Sequence, residues 1–268
     1  MPSLPIFTLT VLIYLALAAY FRPGGRACCQ PNALGRLLLF VPLVFHIYLL
    51  ATMILPGTGL VLGFGSSLSA VAALTVLFYG LAAWHYPLSG MQSFVLTFAG
   101  LAVALKAILP AGHVIATADQ PLFRIHLLMA FVAYGLFTVA ALHAILIALA
   151  EKHLHKPVPP RMVAGLPPLL TLEKLLFRMV ELGWLILSLT LLSGVFFSEA
   201  IYGRAFMLTH MTVFGFASWG LYAALLAGRR VYGWRGKTAI YWTLAGFVAL
   251  LLSYVGVKFV LEVILQRA

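Results

Sequence analysis

The stretch Leu122–Ala150, LFRIHLLMAFVAYGLFTVAALHAILIALA, decides the fold of this chain. Its about 29 almost unbroken apolar residues exceed the roughly 20 that an α-helix needs to cross a bilayer core of about 30 Å. His126 and His143 lie within this stretch. At 1.5 Å rise per residue they are roughly 25 Å apart along one helix. Because an ionisable side chain inside a membrane span is costly, both histidines are candidates for a functional site.

Composition extends the membrane assignment to the whole chain. Of its 268 residues, 63% are hydrophobic and only 9% are charged, whereas about a quarter are charged in soluble domains. The net charge of +11 is explained by Lys and Arg in cytoplasmic loops, so nucleic-acid binding is not expected. Cys28 and Cys29 form neither a C-x-x-C-H nor a C-x-x-C motif. We therefore expect no covalent haem attachment and no thioredoxin-like reductant role.

Hydropathy predicts an all-α polytopic membrane bundle of about eight transmembrane helices in a single domain over residues 1–268. The predicted helices cover about 4–21, 36–55, 65–84, 90–109, 122–150, 175–198, 206–227 and 238–262. The first lacks a positively charged segment before it, so we interpret it as a transmembrane helix rather than a signal peptide. Twelve of the seventeen Lys and Arg residues lie in or beside the first, fifth and seventh loops. The positive-inside rule therefore predicts that these loops are cytoplasmic and that both termini are outside.

Four histidines fall within the predicted spans, at different depths. His126 and His210 each lie about four residues into a helix from the outer side, while His46 is near mid-span and His143 is closer to the cytoplasm. Two pairs at two levels suit axial ligation of a planar macrocycle, since neutral imidazole is a good ligand for haem iron. A lone intramembrane histidine can instead hydrogen-bond a neighbouring helix. That structural alternative weighs more for His46 and His143, whose depths match less closely.

The spacing along the fifth span argues against one haem arrangement. A two-haem carrier of the cytochrome b type would repeat its histidines at about fourteen residues on one helix face, whereas the interval from His126 to His143 turns the second ring by about 100°. A transmembrane two-haem chain is therefore not expected.

Other chemistries find little support. Asp119 is the only Asp, and no Ser/His/Asp pattern occurs. Lys106 and Lys258 are the charged residues nearest the interior of a span, and both are long enough to extend outwards to the interface. We therefore expect neither enzymatic activity nor proton-coupled transport, which would need a charge deep in the bilayer.

Three stretches carry a family resemblance. They are RIHLLMAFVAYGLFTVAALHAI (124–145), LPPLLTLEKLLFRMVELGWLILSLTLLSG (166–194) and HMTVFGFASWGLYAALLAGRRVYGWRGKTAIYWTLAGFVALLLSYVGVKFVLEVIL (210–265). Together they resemble the cytochrome c assembly proteins of the CcsA, YpjD and HemX type, and the last stretch is most similar to the YpjD-like branch. The resemblance covers most of the chain from Leu122 onward, whereas the first four helices match only in hydropathy.

The resemblance implies haem handling for cytochrome c maturation at the outer face of the inner membrane, with His126 as the external haem-ligand histidine. Haem exporters of the family carry a tryptophan-rich W-W-D segment where this chain has FFSEAIYGRAFMLTH (196–210). Their later external histidine would fall near 257–263, where this chain has none. The chain therefore either binds haem without delivering it or has an accessory or regulatory role.

We predict a multi-pass inner-membrane protein that binds haem b non-covalently and assists cytochrome c assembly beside other maturation proteins. His126 and His210 are the predicted axial ligands of an outward-facing site, and His46 and His143 form a possible second site.

Two arginines accompany the external histidines. Arg124 and Arg204, one near each, are candidates for pairing with haem propionates, or else they anchor the helices at the interface. Two further functions stay open. One is a membrane interaction or regulatory protein, HemX-like, with structural histidines and basic loops that meet a cytoplasmic partner. The other is a small-molecule transporter, which would show broken helices and internal repeats, neither of which is visible in the sequence.

Overall fold

The computed structural model is a bundle of α-helices with a two-stranded sheet at one end. It describes residues 4–22, 33–55, 59–86, 88, 91–109, 112–115, 120–153, 168–202 and 208–264. Cys28, Cys29, Asp119 and Arg204 lie outside the described residues. In chain order the helices are α1 (Leu4–Tyr20), α2 (Ala33–Leu38), α3 (Phe40–Ile54), α4 (Phe64–His85), α5 (Gln92–Ile108), α6 (Pro121–His153), α7 (Leu169–Tyr202), α8 (His210–Tyr232) and α9 (Gly236–Leu251).

These helices confirm the predicted all-α membrane bundle, with α2 and α3 together forming the second predicted span. Among the described residues, six segments are long and apolar enough to cross a membrane: Ala33–Ile54, α4, most of α6 and α7, α8, and Lys237–Phe259. The other two predicted spans, α1 and α5, are shorter apolar helices of 17 residues each. That length is at the lower limit for a transmembrane helix, about 17 to 25 residues.

A small sheet was not predicted. Strands β1 (Leu60–Leu62) and β2 (His113–Ile115) pair antiparallel, with Val61 opposite Val114. Strands of three residues are too short to give a periodic signal in the sequence. Because β1 precedes α4 and β2 precedes α6, the sheet shows that these two helices begin at the same end of the bundle. We call this the outer end, following the predicted orientation.

The centre of the bundle is formed by α4 and α6. In the most apolar segment of each, 72% of the residues are buried, against 28% in α8 and 22% in the segment 237–259. The central helix α6 packs on α8 through an aromatic contact: Phe137 stacks on Tyr222 of α8, with ring centroids 3.9 Å apart. The helices at the periphery of the bundle therefore expose much of their apolar surface, as expected for helices that face lipid.

The last helix changes its geometry where it reaches the outer end. After α9 it continues as π-helical turns, Leu252–Gly256 and Val260–Ile264, on either side of one α-helical turn. The hydroxyl of Tyr134 on α6 donates to the carbonyl of Leu250 at 2.5 Å, and that of Ser253 donates to the carbonyl of Met211 at 2.7 Å. These bonds tie the irregular segment to α6 and α8. Such π-helical turns occur frequently at functional sites.

Candidate functional site

A cavity of about 620 Å³ lies among α6, α7, α8 and the C-terminal helix, in the outer half of the bundle. Small-molecule and cofactor sites have volumes of about 300 to 1,000 Å³ and combine apolar walls with a few placed polar groups. The walls here follow that composition, with Phe123, Phe131 and Leu191 among the apolar side chains and His126 and Lys258 among the polar ones.

His126 supplies the imidazole of the cavity wall. Its Nδ1 lies 2.9 Å from Oγ of Ser193 on α7, and that hydroxyl donates to the carbonyl of Thr190, also at 2.9 Å. Because the hydroxyl proton is directed at the carbonyl, Ser193 accepts from Nδ1–H of His126. This network assigns the proton to Nδ1 and the lone pair to Nε2, the tautomer that binds a metal through Nε2.

Gly194, the next residue of α7, gives the imidazole room. A Cβ at this position would lie 3.2 Å from Cε1 of His126, closer than an ordinary van der Waals contact. Ser193 and Gly194 form the L-S-G ending of the stretch 166–194. The stretch 166–194 is one of those that resemble the family, but the sequence assigned neither residue a role.

The structure places only part of the predicted outer site around the cavity. His210 is the exposed first residue of α8. Its neighbours Thr209 and Met211 line the cavity, but His210 is not among the described residues that do. Arg124 is also exposed and does not belong to the described lining. Of the predicted outer residues that the structure describes, His126 alone is therefore in the cavity wall.

His46 is fully buried and has a hydrogen-bond partner at each ring nitrogen. Its Nδ1 lies 3.0 Å from the hydroxyl of Tyr14 on α1, and its Nε2 lies 2.7 Å from the hydroxyl of Ser69 on α4. The ring thus links three helices. Because both nitrogens are engaged by hydroxyls, this arrangement favours the structural alternative for His46 over iron ligation.

His143 is also fully buried, on α6. Its Nδ1 lies 2.7 Å from the carbonyl of Val139 one turn earlier, so Nδ1–H is the donor. Its Nε2 is buried and has no hydrogen-bond partner among the described residues. The partner of His143 is on its own helix, whereas the partners of His46 are on α1 and α4. These contacts do not join the two rings into the predicted second site.

Two lysines belong to an ionic cluster at the outer end. Nζ of Lys258, in the cavity wall, lies 3.2 Å from Oε1 of Glu262. Oε2 of Glu262 accepts the backbone N–H of Phe64, the first residue of α4, at 2.7 Å. Lys106 is only 6% exposed and interacts electrostatically with the same carboxylate. Lys106 is therefore packed among the helices at the outer end, where Glu262 provides a partner for its charge.

The fold and the site together define a class: a polytopic α-helical membrane protein with a histidine in the wall of a cavity near one end. Comparison with known sequences is more specific. The sequence profile of the family described as Cytochrome C assembly protein matches residues 34–265. The chain therefore belongs to the cytochrome c assembly protein family, and the match reaches upstream of Leu122 into helices that resembled the family only in hydropathy.

Two relatives illustrate the similarity. Inner membrane protein YpjD of Escherichia coli (strain K12) is 27% identical over 273 residues, which cover 97% of this chain and 100% of YpjD. Cytochrome c biogenesis protein CcsA of Prochlorococcus marinus is 32% identical over 88 residues, covering 33% of this chain and 28% of CcsA. With the membrane-spanning helices of the structure, the similarity to YpjD confirms a multi-pass inner-membrane protein.

Proposed function

We propose that this protein binds haem b non-covalently in the outer cavity and thereby assists cytochrome c assembly. The observation that carries the proposal is His126 in the wall of a largely apolar cavity of about 620 Å³, with Nδ1 bonded to Ser193. Family membership and similarity to a protein named for cytochrome c biogenesis support haem as the ligand.

The described residues fit this ligand in two respects. His126, as the Nδ1–H tautomer, offers Nε2 as a ligand atom for iron, and Ser193 keeps the ring in that orientation. The aromatic and aliphatic walls offer apolar surface to the macrocycle. When bound, haem would supply an iron centre whose properties depend on its axial ligand and on the polarity of its surroundings.

We assign ligation to His126 rather than to His126 and His210 together, because His210 is exposed and outside the described cavity lining. The proposed role is to bind and hold haem at the outer end of the bundle, beside other maturation proteins. It assigns no catalytic step to any side chain of the chain.

The test is the visible spectrum of protein purified in mild detergent and supplied with haemin. We expect a Soret band in the wild type that His126→Ala removes and that His210→Ala largely keeps. His113→Ala is the matched control, since His113 is an exposed histidine at the same end but outside the described lining. Extraction with acidified acetone should remove the colour, because the chain has no motif for covalent attachment.

A wild type that stays colourless after haemin is supplied would refute the proposal, and so would a His126→Ala variant with an unchanged spectrum. A colourless wild type would favour the regulatory alternative, in which the histidines are structural and the cytoplasmic loops meet a partner, whereas an unchanged spectrum in His126→Ala would assign haem ligation to another residue.

A further inference from the structure

The outer cavity has a charged residue that iron binding by His126 does not use. Among the described lining residues, Lys258 is the one with a permanent charge. It follows Tyr254, which also lines the cavity, by four residues, and Glu262 follows by another four. The three side chains therefore lie along one side of the C-terminal helix. A charge in a largely apolar wall is costly unless it has a function or a partner.

Glu262 is a positioning residue for this lysine rather than a complete counter-charge. Its two carboxylate oxygens are divided between Nζ of Lys258 and the backbone N–H of Phe64. An ammonium group has three N–H donors and no acceptor. The ion pair with Glu262 therefore fixes the direction of the lysine side chain and engages at most one of its three donors.

Among the residues that the structure describes, the cluster carries a positive surplus. Two lysines, Lys106 and Lys258, face the single carboxylate of Glu262, and the start of α4 adds the partial positive charge of a helix N-terminus, about half an elementary charge. Glu262 and Lys106 are both buried, at 9% and 6% exposed. In such surroundings a surplus positive charge is weakly screened and attracts an anion.

We infer that Lys258 is the carboxylate-binding residue of the outer cavity. It binds a carboxylate of an amphipathic ligand whose apolar body lies between α6, α7 and α8. The identity of that ligand rests on the proposed function, under which the carboxylate is a haem propionate. This role falls to Lys258 rather than to Arg124, because Lys258 is in the described wall and Arg124 is not.

The test compares two iron-free probes, protoporphyrin IX and its dimethyl ester, titrated by fluorescence into the purified full-length protein in mild detergent. Charge-assisted hydrogen bonds contribute enough to give a preference of about tenfold or more for the free acid. We expect this preference in the wild type, its loss in Lys258→Met, and its retention in Lys258→Arg. Lys237→Met is the control, since Lys237 is an exposed lysine of the same continuous helix, far from the cavity.

Loss of a partner for Glu262 could destabilise Lys258→Met. The double variant Lys258→Met/Glu262→Gln removes the carboxylate charge as well, and it should also lose the preference. An acid-to-ester preference that is unchanged in both variants, once size-exclusion chromatography shows folded protein, would overturn the inference.

The iron-free probes separate this inference from haem ligation. His126→Ala should keep the Lys258-dependent preference while losing the Soret band with haemin. If haemin gives no Soret band but the preference persists, haem ligation fails and carboxylate binding stands. Competition with oleate distinguishes a lipid carboxylate from a porphyrin one: we expect little displacement, and Lys258-dependent displacement at equal concentration would overturn the assignment to a porphyrin.

Discussion

Two of the described histidines, His46 and His126, have side-chain hydrogen-bond partners and differ in what surrounds them. His46 is enclosed between the hydroxyls of Tyr14 and Ser69, with both nitrogens bonded. His126 has Ser193 at Nδ1 and stands in the wall of a cavity. Both rings come from apolar spans, and their sequence neighbourhoods look alike. The difference teaches that the depth of a histidine in a span does not show whether it is an iron ligand. The hydrogen-bond partner of each ring nitrogen and the space beside the ring are more informative.

The largest effect should come from replacing the enclosed histidine, His46, and it should be a loss of stability. His46→Leu removes the partner of two buried hydroxyls and should lower the free energy of unfolding by about 2 kcal/mol, because unsatisfied buried polar groups cost about 1 to 3 kcal/mol each. The haemin spectrum of the folded fraction should not change. Thermal unfolding in detergent, followed by size-exclusion chromatography, measures the loss.

A triple variant makes this test specific to hydrogen bonding. Tyr14→Phe/His46→Leu/Ser69→Ala removes all three polar groups together, and replacing a whole network with apolar groups is often nearly neutral. We expect it to recover much of the lost stability. If the triple variant is as unstable as His46→Leu, the ring acts through its shape and packing, not through its hydrogen bonds.

The next effect concerns the hydroxyl that orients His126. Ser193→Ala should weaken haem binding about tenfold, since residues that hold a metal-binding histidine typically contribute 10- to 100-fold to affinity. Haemin titration followed at the Soret band gives the affinity.

Ser188→Ala is the matched control for Ser193→Ala. Ser188 is on the same helix, its hydroxyl accepts from Nε1 of Trp219 at 2.8 Å, and neither residue is among the described lining residues of the cavity. It should leave haemin affinity unchanged. Equal losses in the two serine variants would show that α7 responds as a whole, and the particular role of Ser193 would be refuted.

The sequence predicted the helices well and the site only in part. Apolar runs of about 20 residues locate spans because the bilayer permits few alternatives, and each predicted span has a helix in the structure. His126 was identifiable because an ionisable residue is rare within such a run. The hydrogen bonds that enclose His46 could not be predicted from the sequence, because Tyr14 and Ser69 come from other helices and only packing brings them to the ring.

The role of Lys258 also could not be predicted from the sequence around it. In sequence it is one basic residue near a helix end, for which extension to the interface is the usual expectation. Its significance depends on Glu262 being fixed at the start of α4, 198 residues away in sequence. No local pattern reports a contact between segments so far apart. Ser193 and Gly194 lie in a stretch that resembles the family, but only the structure shows that both residues lie beside the imidazole of His126.

A smaller effect is expected at Gly194. Gly194→Ala places a methyl group 3.2 Å from Cε1 of His126, so the ring must move by a few tenths of an ångström. We expect a loss of haemin affinity of about threefold, equivalent to less than 1 kcal/mol, and a shifted Soret maximum. Gly220→Ala is the control because nothing lies within 4 Å of its Cβ. It should leave the spectrum unchanged and, as a Gly→Ala change in a helix, slightly stabilise the fold.

The smallest effect is expected at His143, which differs from both of the other rings. Its Nδ1–H is satisfied within its own helix, and its Nε2 is buried without a hydrogen-bond partner among the described residues. His143→Leu substitutes an apolar side chain of similar size and removes a buried nitrogen that has no described partner, so we expect stability to change by less than about 1 kcal/mol. The haemin stoichiometry, measured by Soret titration against protein concentration, should stay the same. A fall in stoichiometry by one equivalent would instead identify His143 as the ligand of a second haem, and the same loss in His46→Gln would restore the predicted inner pair.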